Sequence, residues 1–165
     1  MKDARHALGE HIVPLKAPVD SAGTAFATPW VNLKTALHLT FFYYAGVVTA
    51  ASADQAVVIT VEAATAAASG AEVAVAFSYR KSGATGTDTW GAKTAATSAG
   101  YSYGTTDDGS MIAIDIDPAA LEAALADASH VRLVVGIDAG GTVTLNAAWA
   151  VIDPHYPQVT HQTAS

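Results

Sequence analysis

The chain has 165 residues, no cysteine, and a net charge of −7 from fifteen acidic and eight basic side chains. A domain of that length removes roughly two thirds of its unfolded surface from water and needs no disulfide to hold it. The bases stand singly except for Arg80-Lys81, so the phosphate-neutralising patch needed for sequence-independent nucleic-acid binding is missing.

The charged fraction is 14%, well under the roughly 25% of an ordinary soluble domain. Alanine, threonine, serine and glycine fill the polar positions. Interface cores are depleted in charge, so such a surface suits packing against other subunits; a monomer from an alanine-favouring genome reads the same way. Met1 to Asp20 lacks the apolar core of a signal peptide, and no segment is apolar enough to span a bilayer. The expectation is a protein made in the cytoplasm that stays soluble and has no membrane partner.

Residues 1–28 show no sustained period. Val13-Pro14-Leu15-Lys16-Ala17-Pro18-Val19 reads as extended backbone, because proline disfavours helix at the residue before it. We read an N-terminal arm whose Ile12, Val13, Leu15 and Val19 lie across a neighbouring subunit or back along the arm's own domain. A β-domain follows over 29–157, with a C-terminal tail at 158–165.

From Val31 to Tyr44, Val31, Leu33, Leu37, Leu39, Phe41 and Tyr43 point one way and Asn32, Lys34, His38 and Thr40 the other. That stretch exceeds a usual strand, so it is either one bent strand crossing between sheets or two strands with a break near Thr35-Ala36. Phe42 and Tyr44 interrupt the polar face and predict cover on both sides in the second half. Val57 to Ala66 and Glu72 to Tyr79 alternate around Ala67-Ala68-Ser69-Gly70 and predict a hairpin. Ser82 to Gly109 is glycine-rich and predicts long loops with one short strand near Trp90 to Thr97.

Ser110 to Asp117 reads as a strand with Ile112, Ile114 and Ile116 inward. Asp117-Pro118 then opens a helix to about Ala126: the carboxylate caps early N–H groups, and proline lacks the donor that would be orphaned. The cleanest pattern comes last. Val131, Leu133, Val135 and Ile137 alternate up to Ala139-Gly140-Gly141, and Val143, Leu145, Ala147, Trp149 and Val151 alternate after it. This predicts a hairpin with Trp149 and Leu145 facing the core. The whole is expected to be an all-β, antiparallel, jelly-roll-like β-sandwich of about eight strands with one short helix.

Catalytic patterns are not found. Asp115 and Asp117 share a strand face and could hold Ca²⁺ beside Asp107 and Asp108. However, Asp107-Asp108-Gly109 is turn chemistry and Asp117 a helix cap. The histidines at 6, 11, 38, 130, 155 and 161 show no zinc spacing, and no serine has the flanks of a nucleophile elbow. The expectation is no enzyme, cofactor or metal. Trp30, Trp90, Tyr101 and Tyr103 fall in or beside loops, where a sugar-stacking platform would be built.

Val31-Asn32-Leu33-Lys34, Val61-Glu62-Ala63, Phe77-Ser78-Tyr79-Arg80, Thr87-Asp88-Thr89-Trp90, Ile114-Asp115-Ile116-Asp117, Val131-Arg132-Leu133 and Pro154-His155-Tyr156-Pro157 bring a family into view. With these motifs the chain resembles small structural proteins of tailed bacteriophages and prophages, across about Val31 to Pro157. His155 stands where arginine is expected before the tyrosine. The resemblance implies a virion component: a capsid decoration or cement protein, assembled in the host cytoplasm, that binds the major capsid protein and itself on the outer shell. The partner-binding candidates are Ile12, Val13, Leu15 and Val19, apolar residues of the arm outside any periodic element, together with Trp30 and Tyr156. A head-tail joining or tail protein is the alternative within the virion, and a carbohydrate-binding module the alternative outside it.

Overall fold

In the computed structural model of the chain, residues 11–20, 23–49, 57–67, 70–83, 85–137 and 141–154 are described. They form an all-β structure of antiparallel sheets with one α-helix. The fourteen strands exceed the eight expected, because several are two or three residues long. They are β1 (His11–Val19), β2 (Phe26–Ala27), β3 (Val31–Asn32), β4 (Ala36–Ala45), β5 (Val48–Thr49), β6 (Val57–Ala64) and β7 (Val73–Val75) in the first half. The second half has β8 (Phe77–Lys81), β9 (Thr94–Ala96), β10 (Tyr101–Tyr103), β11 (Met111–Ile116), β12 (His130–Ile137), β13 (Thr142–Val143) and β14 (Asn146–Pro154). Helix α1 is Pro118–Ala124.

Sheet A runs β1-β14-β4-β11-β8-β9. Sheet B runs β10-β6-β12-β2, with β3 also on β12 and β7 on β6. Their inner faces share one apolar core: Leu39, Phe41, Tyr43, Ile112 and Ile114 from sheet A meet Val57, Ile59, Val61, Leu133 and Val135 from sheet B.

The chain changes sheets repeatedly, and local chemistry marks the crossings. After β3 the Lys34 N–H donates to Asn32 Oδ1 at 2.9 Å and Ala36 N–H to the Leu33 carbonyl at 3.0 Å. This turn moves the chain from sheet B to sheet A. Both readings of the long stretch therefore hold in part: there is a break at Thr35-Ala36 and a crossing between sheets. Sheet A has a bulge where Asp153 pairs with His38 but Pro154 pairs with Ala36. The extra residue is Leu37, which points to solvent instead of inward.

The second hairpin forms as β6 and β7, but at Ala76 the chain leaves for sheet A, where Ser78 to Lys81 pair with β11 and Phe77 pairs with Ala96 of β9. The irregular region yields two short strands, β9 in sheet A and β10 in sheet B. Gly100 joins them with φ +93, and a Cβ there would lie 2.4 Å from the Ile59 carbonyl oxygen. Only glycine fits so close to β6.

The largest correction concerns the last two strands. β12 pairs with β6 in sheet B and β14 pairs with β4 in sheet A, so they arch between layers and do not form a hairpin. Ala139 and Gly140 of the expected turn lie outside the described residues. β12 keeps its predicted phase, with Val131, Leu133 and Val135 fully buried. β14 reverses it. Leu145 adopts φ 55 and is 55% exposed; this left-handed residue resets the alternation. Ala148, Ala150 and Ile152 face the core, and Trp149 faces outward, half-buried.

Of the two readings of the arm, residues 11–19 take the second: they lie along the chain's own domain as edge strand β1, antiparallel to β14 from His11 opposite Ile152 to Val19 opposite Asn146. Leu15 joins the core. α1 follows the sequence reading closely: Asp117 accepts from Ala119 N–H at 2.9 Å and Leu121 is buried, although the helix stops at Ala124. Among the described residues no helix is long and apolar enough to cross a membrane.

Candidate interaction face

Among the described residues, the outward side of sheet A departs from the usual make-up of a water-facing sheet. Antiparallel sheets that face water on one side usually alternate apolar inside with polar outside. On β14 and β4 the outward residues are instead Ala147, Trp149 and Val151 beside Tyr44, Phe42 and Thr40. Across the sheet, one row reads Pro14, Trp149, Phe42, Ala113, Arg80, and the next reads Ile12, Val151, Thr40, Asp115, Ser78.

Phe42 stacks on Trp149 with centroids 5.6 Å apart and planes 10° apart, and meets Trp90 edge-on at 6.3 Å. Such contacts add about 0.5–1.5 kcal/mol beyond burial. The loop bearing Trp90 is folded onto β8 by Gly83 N–H to the Thr89 carbonyl and Gly91 N–H to the Lys81 carbonyl, both 2.8 Å, and by Arg80 donating to the Gly91 carbonyl at 3.1 Å. Trp90 still shows 39% of its surface and Ile12 shows 62%.

The expected partner-binding residues separate accordingly. Ile12 lies on this face, and Val19 is exposed at the end of β1; Val13 is half-buried against the core and Leu15 is inside it. Trp30 is buried on the outer side of sheet B, roofed by the Arg132 guanidinium 4.3 Å from its ring. Tyr156 lies outside the described residues, as do His155 and the 158–165 tail. Trp149 and Phe42 were missed by sequence reasoning. Phe42 had left a signal as an aromatic on a polar face, whereas Trp149 was hidden by the phase reversal.

The four loop aromatics do not assemble into one platform. Trp30 belongs to sheet B and Trp90 to the face of sheet A. Tyr101 and Tyr103 join Tyr79 and Tyr43 in a chain of ring contacts that runs from the half-buried Tyr79 and Tyr101 to the buried Tyr103 and Tyr43. Burial pushes the Tyr43, Tyr101 and Tyr103 hydroxyls above their ordinary pKa, with the Asp107 carboxylate adding to the effect at Tyr101.

Each of the four clustered acids has structural work. Asp107 is buried and accepts from Lys81 Nζ, from Gly104 N–H at 3.0 Å and from the Tyr101 hydroxyl at 3.3 Å. Asp108 accepts from Val48 N–H at 2.7 Å, Asp115 pairs with Lys93 at 3.3 Å, and Asp117 caps α1. Asp115 and Asp117 do share a face, as the strand period predicts. With His38, Ser78 and Lys93 they line a cleft of about 510 Å³ floored by Phe77, Ile116 and Leu121. Among the described residues, no three His, Cys, Asp or Glu side chains are grouped to hold a metal ion.

The outward side of sheet B is built differently. Arg132 and Glu62 are cross-strand neighbours; Nε donates to Oε2 at 2.8 Å, and Glu72 lies 3.8 Å from the same guanidinium. Next to them the imidazole of His130 is held below its usual pKa, first by burial and then by the nearby Lys34 charge.

No family model, curated protein or solved structure matches this chain. The site's geometry therefore carries the functional argument alongside the sequence resemblance.

Proposed function

We propose that this protein is a structural subunit of a bacteriophage virion: a capsid decoration or cement protein that binds the major capsid protein on the outer shell and braces it. It works by surface recognition and carries out no chemistry of its own. The observation that supports this best is the outward face of sheet A, where Ile12, Phe42, Trp90, Trp149 and Val151 give a water-facing sheet the aromatic, charge-poor make-up of an interface core. The motifs from Val31 to Pro157 supply the virion context. His11–Val19 completes sheet A within the same chain, so the assembly contact is assigned to the face of the sheet and not to a free arm.

The test is to mix the purified chain with empty shells of the major capsid protein encoded beside its gene. Saturable co-sedimentation at many copies per shell, with a raised shell melting temperature, is expected. A few copies per particle would move the protein to the head-tail junction or tail, and no binding to any particle would refute the virion reading.

A further inference from the structure

The outward face of sheet A carries an apolar band, and the edges of the sheet bear on what packs against it. β1, at one edge, contains Pro14 and Pro18, which lack N–H donors; β9, at the other, is three residues long. Short edges and edge prolines block the addition of further strands. Association through sheet A must therefore use its face.

The central rows of that face are complementary to themselves. Ala147 lies beside Tyr44, Trp149 beside Phe42, Val151 beside Thr40 and Asp153 beside His38. A two-fold axis running between β14 and β4, parallel to the strands, would set each β14 side chain against the β4 side chain of the same row in a second copy. Small Ala147 then meets large Tyr44, Trp149 meets Phe42, and at the rim the acid Asp153 meets the base His38. Sheets packed in this aligned way keep their strand directions within about 30° of each other, and their twist confines close contact to these central strands.

Charge points to the same occupant. The chain carries −7, so two copies meet favourably only where acids are missing or neutralised; on β14 and β4 the rows from Ala147 to Val151 contain none, and Asp115, further along the Val151 row on β11, is paired with Lys93 at 3.3 Å. At the rim, the acid and base of the last row, Asp153 and His38, are complementary across the same two-fold axis.

Resting on the reading of this face as an assembly surface, we infer that away from the shell its occupant is a second copy of this chain, packed face to face about that two-fold axis and displaced when the face meets the shell. Three rows on three or four strands give ~300–400 Å² from each copy, about half of the ~800 Å² that a stable complex buries per partner. The pair is therefore weak: it separates in dilute solution, becomes populated as the concentration rises, and leaves the face free to exchange partners.

Sedimentation equilibrium of the full chain tests this. Half-pairing is expected between ~10 µM and ~1 mM, with no species larger than the dimer. Ala147→Lys and Val151→Lys each plant charge at the centre of the contact from an outward position, and each should weaken pairing at least ~10-fold with an unchanged melting temperature. Thr60→Lys, on the outward side of sheet B, should leave pairing as it was. If one band variant fails to fold, the other still decides. A chain that remains monomeric to ~1 mM, or a dimer indifferent to both band variants, overturns the inference. A monomer that still binds shells removes only the pairing, whereas a dimer that binds no particle removes only the virion reading.

Discussion

The two outward faces of this sandwich cover the same core and solve the problem of facing water in opposite ways. On sheet B a tryptophan is buried within the chain itself: Arg132 lies over Trp30, and Glu62 and Glu72 hold the guanidinium. On sheet A the aromatic residues lean on one another, and among the described residues no cation lies over the rings of Trp149, Phe42 or Trp90. An arginine that stacks and pairs at once satisfies both ring and charge. A bare aromatic row leaves its burial to be completed from outside the chain. The difference separates a face that stabilises the monomer from one that is available for association.

The comparison depends first on which side of each sheet is inward. Leu133→Ala in sheet B and Phe41→Ala in sheet A should each lower unfolding free energy by ~3–5 kcal/mol in urea denaturation, because both side chains are fully buried. Leu145→Ala should cost under ~0.5 kcal/mol, since Leu145 stands in solvent after the left-handed kink. Equal losses at Leu145 and Leu133 would mean that the phase of β14 is misassigned.

Next in size is the clasp on sheet B. Arg132→Ala removes a cross-strand ion pair and uncovers Trp30, at an expected cost of ~1–3 kcal/mol in the same assay, with self-association unchanged. Val151→Lys should do the reverse, moving stability by less than ~1 kcal/mol while weakening association. If both variants changed stability alone, the two faces would be equivalent and the contrast would fail.

The smallest effect sharpens the sealed face. His130 has a lowered pKa because burial and Lys34 disfavour its charged form. The folded state thus binds fewer protons than the unfolded chain. Its contribution is present above the ordinary histidine value of 6.5 and is lost as pH falls through that value and the lower folded one. Comparing the wild type with His130→Gln, the variant should lose less stability between about pH 7 and pH 5. Parallel pH profiles would show that His130 is not held neutral by the fold.

The sequence carried much of this structure where period alone decides. The inward residues of β6, β11 and β12 follow from their alternation, and the start of α1 follows from Asp117-Pro118, because each is a local consequence of backbone geometry. What it did not carry is non-local. Gly140-Gly141 looks like a hairpin turn whether its flanking strands pair or arch across the core. A leucine at φ 55 gives no compositional warning, so the strand after it was read one residue out of phase and Trp149 was placed inside. The bulge that expels Leu37 arises from pairing with β14, more than a hundred residues later. Of the interaction face, Ile12 and Phe42 were visible as apolar residues without a polar reason. Their meeting with Trp149 required the fold.

The claim that one face is sealed and the other open can be read from the chain's three tryptophans, one on sheet B and two on sheet A. With 5-fluorotryptophan incorporated and each ¹⁹F resonance assigned by single Trp→Phe variants, spectra are recorded from ~20 µM to ~1 mM, spanning the weak-dimer range. The account predicts concentration-dependent shifts for Trp149 and Trp90 and none for Trp30. Three invariant resonances, or a shift at Trp30 with Trp149 unmoved, would contradict it.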